Sequence, residues 1–474
     1  MNFNAILIEI FTTILGVILL VLELVLPKGR KNTAGYLSAA GLLAILAVSL
    51  GSAADNTQTF FAGLYVTDAF AGFFKQVFLM GAILVTIMSI GYNRLQESKG
   101  EFFSLVVFTL PGMMAMVSAN DFITLYVGLE LMTITFVVLT AIDTASVKSS
   151  EAGIKYILLS AMSSGVLLYG MSVIYGVSGS VAFADVFKYL QTAGVSPVVL
   201  LAVVFIVAGF GFKISAVPFH MWSPDVYEGA PTPITAFLAV GSKAAGFSVL
   251  IRLLLQVMPQ AYGSIAVIVV VLASLTMLVG NLTAIPQSNI KRMLAYSSIA
   301  HAGYILLGII AFTRSGLGAM MFYLLLYLFA NIGAFAAVIA VTNHTGSDEI
   351  SSFSGLWKRS PFASAILLLS LLSLAGIPPA AGFVGKFYLF AEAIRQGYLW
   401  LAFLAIGTSI IAIYYYIMVI RVMLVGEAKE TTSIITSVPL KLVMAVSAVV
   451  TLVMGIYPGP VTDWTMQMAS LFLK

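Results

Sequence analysis

Five charged residues stand in stretches otherwise apolar enough to dissolve in lipid: Glu130, Lys155, Lys213, Lys243 and Lys386. Insertion scales put a charge at the centre of a bilayer at about 2.5–3.5 kcal/mol, so five left unpaired would cost on the order of 10–15 kcal/mol. A chain that keeps them must compensate them. Burial lowers a lysine pKa by up to about 3–5 units, and a nearby carboxylate raises it again. A lysine between those pulls binds a proton in one state and gives it up in another. Arginine, effectively always protonated, cannot. Glu130, Lys213, Lys243 and Lys386 therefore make a candidate proton relay, with Lys155, His220 and His301 as modulating or secondary stations reached through water.

Each residue also has a plainer reading. Lys155, the shallowest, reads equally as a snorkelling or structurally paired lysine. His301 reads first as a hydrogen-bonded packing residue. Glu9 and Glu23, near the ends of the first apolar stretch, read as interfacial. Asp225 and Glu228 read as capping or subunit-contact residues rather than ion carriers.

The surrounding sequence must position these groups. Of 474 residues, 61% are hydrophobic and 9% charged, against roughly 25% charged in soluble domains. The expected fold is all-α: a polytopic membrane protein of about fourteen transmembrane helices. The candidate spans are 5–26, 34–52, 69–92, 103–118, 121–143, 150–177, 197–226, 232–257, 262–281, 292–313, 318–341, 361–395, 399–424 and 436–457, followed by an amphipathic tail at 461–473. The apolar N-terminus lacks a basic leader and a small-residue cleavage site, and reads as a first span. Lys and Arg crowd one set of loops, including Lys28, Arg30, Lys148, Lys291, Arg292 and Lys429, whereas the other face holds few, Lys474 among them. The bias predicts both termini outside.

Two segments are too long for simple spans. Residues 197–226 contain Pro218 and Pro224; residues 361–395 contain Gly376, Pro378 and Pro379. At 1.5 Å per residue they would run about 45–52 Å against a hydrocarbon core of about 30 Å. Proline removes a helix donor, so both are expected to be broken helices, the seventh and twelfth. Each carries a lysine beside its prolines, Lys213 and Lys386, 173 residues apart; the same offset takes Glu130 to within two residues of His301. An odd step between them predicts two inverted five-helix repeats, spans 4–8 and 9–13. The expected divisions are 1–102, 103–257, 258–424 and 425–474.

Other chemistry is missing from the sequence. There is no Cys, which removes thiolate metal sites and Fe–S clusters. GFGF at 209–212 lacks the third glycine and the strand context of a dinucleotide fingerprint. Three scattered histidines predict no metal site, and a net charge of +4 without a basic run predicts no nucleic-acid partner.

The stretch PFHMWSPDVYEGAPTPITAFLAVGSK, residues 218–243, resembles the antiporter-like membrane subunits of proton-translocating NADH:quinone oxidoreductase (respiratory complex I), and within them the subunit N (subunit 2) family. YVGLELMTI around Glu130, NIKRMLAYSSIAHAGY at 289–304 and SLAGIPPAAGFVGKF at 373–387 carry the same resemblance over essentially the whole chain. It implies that Glu130 pairs with Lys213, that Lys243 is the central connecting lysine, that Lys386 is the terminal one, and that Lys155 acts near the pair. It implies no cofactor in this chain, with NADH, FMN, Fe–S clusters and quinone bound by partner subunits. It also implies membrane-arm neighbours, including the antiporter-like subunit M and subunits K, J and A, in a bacterial plasma membrane. The competing readings are a component of a sodium/proton antiporter, a membrane subunit of a related hydrogenase or deazaflavin dehydrogenase, and a spacer that pumps nothing.

Overall fold

The computed structural model describes residues 3–25, 27, 31–51, 57–95, 99–427 and 432–473. Lys28, Arg30, Lys429 and Lys474 of the loop-charge pattern lie outside the described residues. The chain is helical almost throughout; a two-stranded antiparallel hairpin, β1 (Gln58–Phe60) and β2 (Tyr65–Thr67), is the one sheet among the described residues. Three helices come first: α1 (Leu7–Val25), α2 (Asn32–Gly51) and α3 (Ala69–Ile90).

The next helices form two similar sets. The first holds α4 (Lys99–Ser118), α5 (Phe122–Thr140), α6 (Val147–Ser178), α7 (Phe183–Ala193), α8 (Pro197–Lys213), α9 (Trp222–Gly229), α10 (Thr232–Phe237) and α11 (Lys243–Arg252). The second holds α12 (Pro259–Ala284), α13 (Ile290–Ala311), α14 (Arg314–Thr345), α15 (Leu356–Arg359), α16 (Pro361–Ala375), α17 (Ala381–Arg395) and α18 (Leu399–Val425). Helices α19 (Val438–Ile456) and α20 (Gly459–Phe472) close the chain.

The likeness of the sets is local as well as general. Asp121 caps α5 through Ile123 N and Thr124 N, and Asn289 caps α13 through Lys291 N and Arg292 N. Each cap residue also bridges a segment beyond the following long helix, Asp121 to Ala182 and Asn289 to Glu349. Those long helices, α6 and α14, are both 32 residues and both end at a left-handed glycine, Gly179 and Gly346. Helix α4 packs on α5 as α12 packs on α13, and α6 packs on α8 and α9 as α14 packs on α16 and α17.

Among the described residues twelve helical segments are long and apolar enough to cross a membrane; two shorter apolar helices, Pro197–Lys213 and Pro361–Ala375, are each continued by another helix after a break. The first break, residues 214–221, contains Pro218. The second, residues 376–380, contains Gly376, Pro378 and Pro379. Pro224 departs from expectation: it lies in the first turn of α9, where a missing N–H costs no helical bond.

Burial separates the helices by task. Eighteen-residue stretches of α14 and of the segment Thr232–Val257 are enclosed throughout, whereas α1, α6 and α18 bury about a third of their residues or fewer. An all-round apolar helix with an exposed surface belongs against lipid. Within the enclosed segment, two wider turns, Leu238–Ser242 and Leu253–Val257, flank α11. Such turns interrupt regular α-helix bonding and recur at functional sites.

Candidate proton-transfer site

Lys213 is the last residue of α8 and is buried. The anticipated direct ion pair with Glu130 is not formed. Among the described residues no ion pair involves Glu130, and its Oε1 is buried without a hydrogen-bond partner. The Lys213 ammonium donates instead to Thr133 Oγ1 at 2.6 Å. Thr133 lies three residues after Glu130 on α5, so both face the same side one turn apart.

Lys243 opens α11 directly after the first wide turn and is buried. Its Nζ donates to Ser298 O at 2.7 Å and contacts Ser298 Oγ. Ser298 is on α13, so this lysine joins the two repeats. Beside it, Ser297 Oγ meets Tyr416 OH at 2.5 Å. Tyr416 lies 3.3 Å from His301 Nε2, and His301 Nδ1 meets Tyr323 OH at 2.6 Å. His301 also packs edge-on against Tyr304, and the Lys386 ammonium sits 4.9 Å from the centre of the Tyr304 ring. The packing residue expected at position 301 is thus joined through Nε2 and Tyr416 to the surroundings of Lys243, and through its ring contact with Tyr304 to the surroundings of Lys386.

Lys386 is buried on α17, just beyond the second break. Its Nζ donates to Leu374 O and Ala375 O, both at 3.0 Å, and to Ser409 Oγ at 2.8 Å. The two carbonyls end α16. The last carbonyls of a helix have no intrahelical donor and carry the negative end of its dipole. The break therefore supplies an uncharged cradle for a cation inside the protein.

Lys155 follows the plainer of its two readings, a structurally paired lysine. Its side chain is 40% exposed and pairs with Glu151 and Asp225, both at 2.7 Å. Asp225 also takes Arg292 at 2.7 Å, and Glu228 takes Lys148 at 3.0 Å and Arg292 at 3.1 Å. Asp225 and Glu228 are ion-pair partners that tie α6, α9 and the start of α13 together. His220 lies in the first break with Nδ1 buried and unpartnered; the structure does not bring it to the lysines by any hydrogen bond among the described residues. Glu9 is no simple interfacial acid: it pairs with buried Lys75 at 2.8 Å and accepts from Tyr65 OH. Glu23 pairs with Lys31.

Between the Asp225 cluster and Lys243 lie polar groups the sequence reading did not single out. Ser223 Oγ, Tyr227 OH, Ser242 Oγ and Tyr156 OH are buried without well-formed hydrogen bonds. The Tyr227 hydroxyl faces Ser223 and Ser298, and the Tyr156 hydroxyl faces Ser242. A buried polar group left unpaired costs about 1–3 kcal/mol, so such a run suits ordered water. Serine, threonine and tyrosine are common in membrane helices. Only the three-dimensional path distinguishes these from hydroxyls bonded back to their own helix.

Residues 119–412 match the family described as NADH:quinone oxidoreductase/Mrp antiporter, TM. The chain is 47% identical to NADH-quinone oxidoreductase subunit N of Moorella thermoacetica, over 99% of each protein. It superposes on a chain of respiratory complex I from Thermus thermophilus with TM-score 0.82 at 32% identity, covering 96% of this chain and 99% of that one. A chain of the Mrp complex of Dietzia sp. shares the fold, with TM-score 0.87 at 22% identity over 100% of this chain and 98% of that one. With two matched repeats, two broken helices and this likeness along its full length, the chain belongs to the antiporter-like membrane subunits, in the family of subunit N of NADH:quinone oxidoreductase.

Proposed function

We propose that this chain carries protons across the membrane along Glu130, Lys213, Lys243, His301 and Lys386, driven by quinone reduction elsewhere in the complex. One observation carries the proposal: Lys243 is anchored on α13 beside a hydroxyl and imidazole chain that runs from Ser297 to His301, whose ring packs on the Tyr304 ring that Lys386 covers. The hydroxyls of Ser297, Tyr416 and Tyr323 both donate and accept, so they pass a proton on by rotating. The lysines provide the stations, and their mutual repulsion across a low-dielectric interior makes the arrival of one proton expel another.

In this reading the chain is a non-redox subunit that works only within the assembled enzyme. NADH, FMN, Fe–S clusters and quinone are held by its partners, and its neighbours include subunits M, K, J and A. The membrane is the bacterial plasma membrane, with both termini outside, in keeping with the loop charges. A sodium path would need oxygen ligands around the ion. Here the oxygens on the path, Thr133 Oγ1, Ser298 O, Leu374 O, Ala375 O and Ser409 Oγ, are taken by lysine ammonium groups, which repel a second cation, and Glu130 is the one carboxylate among the proposed stations.

The test is Lys243→Met in the whole complex reconstituted into vesicles. Quinone reduction and vesicle acidification are measured on one preparation. Protons moved per quinone reduced should fall, and sodium should not restore them. An unchanged ratio would remove Lys243 from the path.

A further inference from the structure

A cavity of about 630 Å3 opens where α2, α3, α4, α14 and α19 all end or begin, so it lies at the level of one membrane face. Its lining includes Lys31, Lys99, Asn343, His344, Ser437 and Ile435, and no Asp or Glu among the described residues. The Lys31 charge is met by Glu23. Lys99 is different. It is 9% exposed, and its ammonium donates to Asn32 Oδ1 at 3.0 Å and more weakly to Ile90 O at 3.5 Å. Among the described residues no ion pair involves Lys99. It is a buried cation with neutral partners only, facing a mainly polar cavity.

The walls are fixed. Asn343 Nδ2 donates to Gly91 O at 2.7 Å and Asn93 N donates to Asn343 Oδ1 at 3.2 Å. Any side chain at Gly91 would meet Ser437 Oγ, 2.2 Å from an added Cβ. The cavity is thus bounded by α3, α14 and α19 rather than by side chains free to close it. At its rim Ile435 is 93% exposed, an apolar contact beside a charged one. A basic pocket between transmembrane helices at a membrane face, with apolar surface at its mouth, has the chemistry of a phospholipid headgroup site.

We propose that the cavity holds the phosphate of an anionic phospholipid, with Lys99 supplying the countercharge and Ile435 meeting the start of an acyl chain. The lipid would join α2, α3 and α4 to α14 and α19.

The complex is placed in nanodiscs of phosphatidylcholine and titrated with phosphatidylglycerol, and bound lipid is counted by mass spectrometry. One lysine at a membrane face contributes about 1 kcal/mol toward an anionic lipid, about fivefold in affinity. Lys99→Gln should weaken phosphatidylglycerol binding about fivefold or more, and Lys99→Arg should not. Ile435→Glu provides a second route that removes no buried group. It sets a negative charge at the mouth of the cavity and should weaken phosphatidylglycerol binding with phosphatidylcholine unaffected. Equal binding by wild type and Ile435→Glu would overturn the proposal. So would displacement of the lipid by an equal concentration of inorganic phosphate, which would make this a site for a soluble anion.

Discussion

Residue by residue, the site rests on lysines whose partners are mostly neutral. Lys213 reaches a threonine, Lys243 a serine and its carbonyl, and Lys386 two carbonyls and a serine. Neutral partners hold an ammonium without fixing it as firmly as a carboxylate would. The expected test is Lys213→Arg against Lys213→Ala. Arginine keeps the charge facing Thr133 and Glu130 but releases no proton at any working pH. Alanine removes charge and proton site together. Both should lose most proton transport, with Arg assembling at least as well as Ala, when acidification and quinone reduction are followed together in vesicles. A merely structural cation predicts the reverse, with Arg near wild type in pumping. The charged stations were legible in the sequence because a lysine in an apolar run has few other uses. Thr133, Ser298, Tyr323 and Tyr416 were not, since a hydroxyl in such a run usually bonds its own helix, as Thr140 does to Phe136 O. The direct Glu130–Lys213 contact, which the resemblance implied, is not formed, because Thr133, one turn on, receives the ammonium instead.

At the scale of the helix, the breaks do the positioning. Proline and glycine announced both breaks in the sequence, and length against bilayer thickness made them necessary. What the sequence did not reveal is the difference between them: Lys213 ends the helix before its break, while Lys386 follows its break and turns back onto the carbonyls of α16. Gly376 makes that return geometry available. Its φ is +83°, and an added Cβ would lie 2.9 Å from Lys386 Cδ and 3.3 Å from its Nζ. A side chain in the left-handed region costs about 1–2 kcal/mol. The long lysine can move aside, but only by leaving Leu374 O and Ala375 O. Gly376→Ala should therefore assemble with modest loss of stability and show a several-fold drop in protons moved per quinone reduced. Pumping at the wild-type ratio in an assembled Gly376→Ala complex would mean that the carbonyl cradle is dispensable. Pro224, by contrast, looked like a second breaker and is a helix starter; proline has the same composition signal in both positions, and only the register of α9 separates them.

For the molecule as a whole, the question is what keeps the two repeats and the flanking helices in one register while protons move between them. Part of the answer lies far from the lysine row. Arg252, at the end of α11, makes two hydrogen bonds to Asp68, 2.9 Å to Oδ2 and 3.1 Å to Oδ1, and a third to Val117 O at 3.1 Å. Its guanidinium lies 5.3 Å from the ring centres of Phe70 on α3 and Phe472 on α20. One buried pair thus connects α3, α4, the enclosed helix that carries Lys243 and the end of the chain. Asp68 and Arg252 are 184 residues apart, and each reads alone as a residue at a span end, so no sequence pattern joined them. Asp68 also caps α3 through Ala71 N. Asp68→Asn keeps a side chain able to cap and removes the charge that Arg252 faces. Breaking one side of a buried pair costs about 3–5 kcal/mol, because the other charge is left uncompensated. The variant should therefore lower the thermal stability and yield of the assembled complex, measured by unfolding of purified material. The complexes that do assemble should keep the wild-type ratio of protons to quinone, since no station of the path is touched. This outcome is opposite in form to that of the Lys213 and Gly376 variants, which spare assembly and lower the ratio. If Asp68→Asn instead assembled fully and pumped poorly, the Arg252 clamp would belong to the proton path, and the division between a buried scaffold at the span ends and a lysine row at the centre would have to be redrawn.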